Sequence, residues 1–224
     1  MPLAVRTEEV DLRFPVGRAK VKTEKIQRLS SKPVYEAGKR AFDLALSLVL
    51  LPVLFLPMLL IAVAIRLDSP GKAIFTQTRL GKDQKPFTIY KFRTMYLNAE
   101  EQGPRWASLD DRRSTNFGRF LRHSHLDELP QIINIIAGQM SYVGPRPERP
   151  EFYDIFDSYI DGFRQRTLVR PGLTGLAQVN GGYELLPEEK IVYDLEYIKN
   201  RSFLMDIRCI LRTFVVVFGR RGVR

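Results

Sequence analysis

A single cysteine, Cys209, stands in a chain of 224 residues. No intrachain disulfide can form, and nothing points to an oxidising compartment. Histidine is nearly as scarce, and one cysteine with His123 and His125 cannot build a four-ligand Cys/His metal centre. No Gly-x4-Gly-Lys-Ser/Thr loop, Gly-x-Gly-x-x-Gly turn or Ser-His-Asp order occurs. P-loop, dinucleotide-binding and serine-triad chemistry therefore lack support. There are no internal repeats or low-complexity tracts, and the aromatics are not gathered beside basic clusters as a single-strand nucleic-acid platform requires. A signal peptide is not expected either. The longest apolar run begins behind a polar tail of about forty residues and is too long for an h-region, so Ala62-Val63-Ala64 is a chance likeness to a cleavage site.

Charge of one sign is in excess. The formal net charge is +10 and the pI about 9.8, which calls for anionic partners: nucleic acid, phosphorylated substrates or acidic lipids. The run Leu44 to Ile65 tilts that choice toward a lipid surface. It carries no charge, Ser47 is its only hydroxyl side chain, and its 22 residues reach roughly 30 Å as helix, enough for a plain transmembrane span. Two features oppose a span. Pro52 and Pro57 lie in its interior, each costing roughly 3 kcal/mol in a helix. Both flanks are basic, with Lys39 and Arg40 before the run and Arg66 and Lys72 after it, whereas a span keeps its Lys/Arg excess on the cytoplasmic side. A re-entrant hairpin, bent at its prolines with both flanks on one side, is the favoured reading.

The fold class expected is α+β, mainly helical: a re-entrant helix-break-helix plus a small cytoplasmic catalytic domain with short strands and interfacial amphipathic helices. Residues 1–36 read as a flexible polar tail, 37–72 as the membrane hairpin and 73–224 as the membrane-associated catalytic domain. Asp68-Ser69-Pro70-Gly71 stops the hairpin, and Ala73–Thr78 and Phe87–Arg93 read as strands. Helices are expected over Asn116–Ala137, broken near Ser124, over Glu151–Arg166 and over Glu188–Ile198. The loop Asn98–Thr115 holds Trp106, the only tryptophan, as an anchor or contact residue. At the end, Phe203, Ile207, Ile210, Leu211, Phe214, Val215 and Phe218 recur at helical spacing between Ser202 as N-cap and Gly219 as stop, facing either a core or a headgroup layer.

The candidate chemistry centres on Arg122-His123-Ser124-His125-Leu126-Asp127-Glu128-Leu129-Pro130-Gln131. Paired carboxylates before a proline are ordinary helix-start residues. Lys91, Arg93, Arg119, Arg122 and Arg146 raise them above that, because they sit in short apolar-flanked segments. Arginines hold phosphate oxygens bidentately, and a carboxylate beside them either binds Mg²⁺ or attacks phosphorus. Arg170, Gln178 and Asn180, in a glycine-studded loop whose backbone can approach a ligand, complete the candidate substrate-binding set.

From about Lys39 to Gly222 the sequence resembles the bacterial polyprenyl-phosphate sugar-1-phosphate transferases, the monotopic phosphoglycosyl transferases. The likeness runs through Lys39-Arg40-Ala41-Phe42-Asp43, Phe75-Thr76-Gln77, Lys91-Phe92-Arg93-Thr94-Met95 and Asp111-Arg112-Arg113-Ser114-Thr115. It continues in Leu126-Asp127-Glu128-Leu129-Pro130-Gln131, Met140 to Pro147, Arg170 to Gly175 and Gln178-Val179-Asn180-Gly181. The resemblance implies a helix bent at a proline, with Pro52, Pro57 or both left open as the bend, seated in the cytoplasmic leaflet of the bacterial inner membrane. It implies Asp127 as nucleophile, Glu128 as its neighbour at a Mg²⁺ site to which Asp127 also contributes, a UDP-sugar donor and a polyprenyl phosphate acceptor. The implied reaction is ping-pong: an aspartyl phosphosugar forms with release of UMP, and polyprenyl phosphate then takes the phosphosugar, the first membrane step of glycan assembly. Leu56 before Pro57 and His125 two places before Asp127 stand where many relatives have serine. No nucleic-acid partner is expected, and a homo-oligomer is left open. The competing reading is a non-catalytic, membrane-anchored basic scaffold for anionic lipid or nucleic acid.

Overall fold

The computed structural model describes residues 20–26, 29–101, 111–182 and 185–218. Trp106, Gly219 and the first nineteen residues of the expected tail lie outside the described residues. The described part is mainly helical, with short strands paired two by two.

The first strand, β1, is Val21–Lys22. One long helix, α1 (Pro33–Asp68), follows. Proline at its first turn wastes no donor, which lets the helix begin four residues before the expected Ala37. Residues ahead of it run along the rest of the protein: Lys32 Nζ donates to Arg201 O at 2.8 Å, and Arg201 Nη2 reaches Ser30 O. Pro52 and Pro57 sit inside this one helix, and no non-helical residue separates two halves. The sequence explains this. From Leu48 to Ile61 there is no Gly, Asn, Asp or Ser beside either proline to end the helix, so each proline acts within it.

Both ends of α1 hold the same body. Near its start, Arg40 donates to the Ile135 and Ile136 carbonyls at 2.6 and 2.7 Å, Lys39 pairs with Asp206 at 2.8 Å, and Ser47 shares a hydrogen bond with the Tyr142 hydroxyl at 3.0 Å. Near its end, buried Ile65 packs with Phe92 and Leu121. Between these anchors Leu48, Val49, Val53, Phe55, Leu56 and Leu60 are exposed.

Next come β2 (Ile74–Leu80) and β3 (Pro86–Phe92), an antiparallel hairpin in register from Ile74 opposite Phe92 to Leu80 opposite Pro86. The next helix, α2 (Asn116–His123), starts at Thr115, whose Oγ1 accepts from Gly118 N at 2.9 Å. Gly118 lies against the backbone that leaves β3: a Cβ there would stand 2.0 Å from Thr94 O. Gly118→Ala must therefore push α2 off β3, and a loss of about 3 kcal/mol in denaturant-unfolding stability is expected.

The expected helix over Asn116–Ala137 is three pieces: α2, a 3₁₀ turn at Leu126–Gln131, and α3 (Ile132–Ile136). Then follow β4 (Ser141–Val143), α4 (Pro150–Tyr159), β5 (Ile160–Asp161), a 3₁₀ turn at Phe163–Leu168, β6 (Gly172–Thr174) and α5 (Leu176–Val179). The helical course that the sequence suggests to Arg166 ends at Tyr159, where Ile160 turns to extended backbone and enters β5; Gly162, at φ 81°, then starts the 3₁₀ turn. β1 pairs with β5, and β4 with β6, both parallel. The main core gathers Phe152, Tyr153, Phe156, Phe163, Leu195 and Ile198, the last two from α6 (Pro187–Asn200).

The last helix, α7 (Phe203–Phe218), is capped by Ser202 as expected. Its inward face is narrow: Asp206 and Cys209 are buried, and Ile210 is partly so. Asp206 sets this orientation by accepting hydrogen bonds from Tyr35, Tyr197 and Lys39. The apolar row Phe203, Ile207, Leu211, Phe214 and Val215 is turned outward. Of the two roles the sequence left open for the expected row, the fold gives Ile210 to the core and leaves Phe203, Ile207, Leu211, Phe214 and Val215 outside it.

Candidate active site

Strand alternation places the first part of the site. Phe75, Gln77 and Arg79 share one face of β2; Lys91 of β3 stands opposite Phe75, and Arg93 follows directly after β3, its N–H donating to Ala73 O at 2.8 Å. His125 then takes a left-handed φ of 57°, redirecting the chain after α2 and starting the 3₁₀ turn that carries the carboxylates. Asp127 and Glu128 therefore do occupy a first helical turn, as the plain structural reading requires, and that turn opens into a cavity of about 760 Å³.

The two carboxylates have unlike surroundings. Glu128 Oε1 accepts from Lys91 Nζ at 2.7 Å, Arg146 Nη1 reaches Oε2 at 3.2 Å, and Arg146 Nη2 also closes on Oε1. Burial pushes the Glu128 carboxyl up, but the Arg146 guanidinium and Lys91 ammonium outweigh it and hold it well below the usual range. Asp127, only 8% exposed, has no hydrogen-bond or ion-pair partner for its carboxylate among the described residues. Burial, then the neighbouring Glu128 charge, raise its pKa to about 6. The result is one locked anion and one open carboxylate that is still mostly ionised at neutral pH.

The cavity joins this charged end to an apolar wall. Leu46, Leu50 and Leu54, at four-residue spacing, present one stripe of α1, and Ile210, Phe214 and Val217 of α7 face the same space. Arg122, Arg146 and Gln178 line it as the sequence suggests. Arg93 also borders it, but its guanidinium donates to Ser69 O at 2.7 Å and to Pro70 O at 2.5 Å, holding the end of α1. Arg170 and Asn180 are not brought to the cavity: Arg170 Nε holds Gly138 O at 3.0 Å, and Asn180 bonds Leu176 O at 2.7 Å. Arg79, Arg149, Arg166 and Lys190 line the cavity without having been singled out. For Arg79 a signal was present, because it follows Gln77 by two places in a strand.

A divalent cation would find few protein ligands. No group of three or more His, Cys, Asp or Glu side chains gathers among the described residues, and the Glu128 oxygens are already engaged. Open Asp127 beside Glu128 fits a Mg²⁺ that takes most of its oxygens from substrate phosphates and water, rather than a preformed protein cage.

A recessed carboxylate with cations around it, at one end of a cavity whose other wall is a long apolar helix, joins an anion-binding end to an apolar wall in one site. The chain belongs to the bacterial sugar transferase family, whose profile matches residues 34–220. It is 40% identical over 214 residues to the UDP-N-acetylgalactosamine-undecaprenyl-phosphate N-acetylgalactosaminephosphotransferase of Aeromonas hydrophila, covering 93% of this chain and 51% of that protein. To the UDP-glucose:undecaprenyl-phosphate glucose-1-phosphate transferase of Xanthomonas campestris pv. campestris it is 41% identical over 194 residues, 84% of this chain and 40% of the relative. The protein of the same description from Caulobacter vibrioides is 43% identical over 181 residues, 78% and 67% respectively. The chain thus spans about half or less of the length of the first two relatives.

Proposed function

We propose that this chain transfers a sugar-1-phosphate from a UDP-sugar to polyprenyl phosphate through a covalent intermediate on Asp127. The observation that carries the reading is the single cavity that puts an unpaired carboxylate at the end of an apolar helix wall. The named activities of the relatives share a UDP-sugar donor and undecaprenyl phosphate, which supports the substrate classes.

In the first step an Asp127 oxygen attacks the sugar-bearing β-phosphorus, the bond to the bridging oxygen breaks, and UMP leaves with that electron pair. In the second, a phosphate oxygen of the polyprenyl substrate attacks the same phosphorus and the acyl–phosphate bond breaks, restoring the carboxylate. Two steps let each anion meet the site separately. Glu128 draws Lys91 and Arg146 to the reacting phosphates, where their charge counters that building in the transition state. Bound Mg²⁺, held by Asp127 with Glu128 beside it, would supply further charge neutralisation on the phosphate oxygens. Leu46, Leu50, Leu54 and the α7 wall receive the first isoprene units while the phosphate reaches the cations.

The two anchors of α1 support a membrane arrangement. Arg40 and Ile65 would stand about 38 Å apart along a straight helix, yet both pack on the one body that carries the site. A bilayer span would place those anchors in opposite aqueous phases. We read α1 as re-entrant, bent at Pro52 and Pro57, with its exposed apolar middle and the outward row of α7 in the cytoplasmic leaflet. Single cysteines at Ser31 and Lys72, in a Cys209→Ser background, are expected to label from the cytoplasmic side alike; labelling from opposite sides would overturn the arrangement. The reaction is tested by UMP release from membranes given UDP-sugar, Mg²⁺ and polyprenyl phosphate. A salt-sensitive lipid binder with no nucleotide product would favour the scaffold instead.

A further inference from the structure

Arg146 lies in Gly144-Pro145-Arg146-Pro147-Glu148, and proline on each side removes the backbone donors that would fix it in a sheet or helix. The segment is held by its acceptors instead. Every carbonyl from Gly144 to Glu148 takes a hydrogen bond: from Gln178 Nε2 at 3.4 Å, Gly172 N at 2.9 Å, Arg166 Nη2 at 3.0 Å, Arg79 Nη1 at 3.1 Å and Leu80 N at 3.1 Å, in that order. The bond to Arg146 itself is the one from Arg166, a side chain only 1% exposed that is in turn bound to Asp194 at 2.6 Å.

That ion pair is an expensive way to hold a backbone. Arg166 Nη1 and Asp194 Oδ1 are both buried without a hydrogen bond, so the pair does not satisfy itself. Buried pairs of this kind add little stability over apolar residues of similar volume. Their retention calls for a reason other than stability, and the bond to the Arg146 carbonyl supplies one.

We propose that Arg166, oriented by Asp194, is a positioning residue for the transfer reaction: it fixes the Arg146 backbone so that the Arg146 guanidinium stays on Glu128 and faces the reacting phosphates. Arg79, paired with Glu148 at 3.3 Å, does the same one residue further on through Pro147 O. Neither guanidinium needs to touch substrate for this. The inference rests on the assigned phosphosugar transfer, and its test separates the two.

The test is a cycle of Arg166→Lys and Arg146→Ala, read by the kcat of UMP release at saturating UDP-sugar. Action through Arg146 predicts that Arg166→Lys lowers kcat about tenfold in the parent and less than twofold once the Arg146 side chain is gone. A loss of equal factor in both backgrounds, or none in the parent, overturns the proposal; general destabilisation gives the equal-factor result. The double variant Arg166→Met/Asp194→Leu removes the pair without stranding a charge. It is expected to melt no lower than the parent yet release UMP at least tenfold more slowly; parent-like release overturns the proposal. Its experimental structure gives a readout that needs no turnover: Arg146 displaced from Glu128 supports positioning, and an unmoved Arg146–Glu128 fork overturns it. A parent protein that releases no UMP removes the assigned reaction, and that structure still decides whether Arg166 sets Arg146.

Discussion

Asp127→Asn is expected to lower UMP release by at least ~10⁴-fold while raising the melting temperature of the protein. In the proposed reaction the loss follows from removing the attacking oxygen, which an amide cannot replace. The gain follows from the surroundings of Asp127: it is buried, has no hydrogen-bond or ion-pair partner among the described residues, sits beside the locked charge of Glu128, and its pKa is raised to about 6. A carboxyl whose folded pKa lies above its unfolded value contributes stability only while protonated. That contribution is fully present below the unfolded value near 3.8 and is lost as pH rises through about 6. At pH 7.5 the ionised group is therefore a cost, on the order of 1–3 kcal/mol at the usual 1.4 kcal/mol per unit. In metal-free buffer the stability difference between Asp127→Asn and parent should shrink as pH falls from 7.5 toward 5. An amide variant that melts below the parent at every pH would show that the carboxylate is held by something.

Glu128→Gln should move the other way. Its folded pKa is depressed, so its contribution is present above the unfolded value and lost in acid, and removing the charge strands Lys91 and Arg146. A loss of about 3 kcal/mol is expected at pH 7.5. Two adjacent carboxylates whose neutral variants shift stability in opposite directions are what a nucleophile beside a structural anion should look like.

Much of the site was legible because its chemistry is local in the chain. Asp127 and Glu128 are neighbours, and Lys91 and Arg146 stand in boxes whose order marks the family. What the chain does not write locally is which arginines face the cavity and which hold carbonyls. Arg146 and Arg170 look alike in sequence, each beside a proline, yet one meets Glu128 and the other Gly138 O. That choice depends on the pairing of β4 with β6 and on three-dimensional neighbours more than thirty residues away in some cases, such as Gly138 and Arg170. The fold was read less well at its edges. The outward turn of α7 could not be inferred from an apolar period alone, since the period is the same whether that row meets a core or a lipid; buried Asp206 with its three donors decides it. The prolines of α1 were read as a break, but a proline ends a helix only where neighbouring residues offer the chain another course.

Arg93→Met is expected to cost about 3–5 kcal/mol in stability while leaving the KM for UDP-sugar within about twofold of the parent. From the sequence Arg93 belongs with the phosphate binders; its contacts place it elsewhere. It is 7% exposed, and Nη2 bonds Ser69 O at 2.7 Å and Ser69 Oγ at 3.1 Å while Nη1 holds Pro70 O. A cation there also suits the negative end of the α1 dipole. Gly71, at φ 114°, makes this approach possible, since a Cβ at that position would stand 2.3 Å from Arg93 Nη1. Removing the guanidinium leaves carbonyls beside buried Ser69 without their charged donor, and bonds to charged groups contribute about 1.5–3 kcal/mol each. The end of α1 should then come free of β3, seen as faster amide exchange from Ile65 to Gly71. The other end of α1 should stay in place, with Arg40 still holding Ile135 and Ile136. A variant that melts within a degree or two of the parent, with KM raised tenfold, would instead return Arg93 to the phosphate.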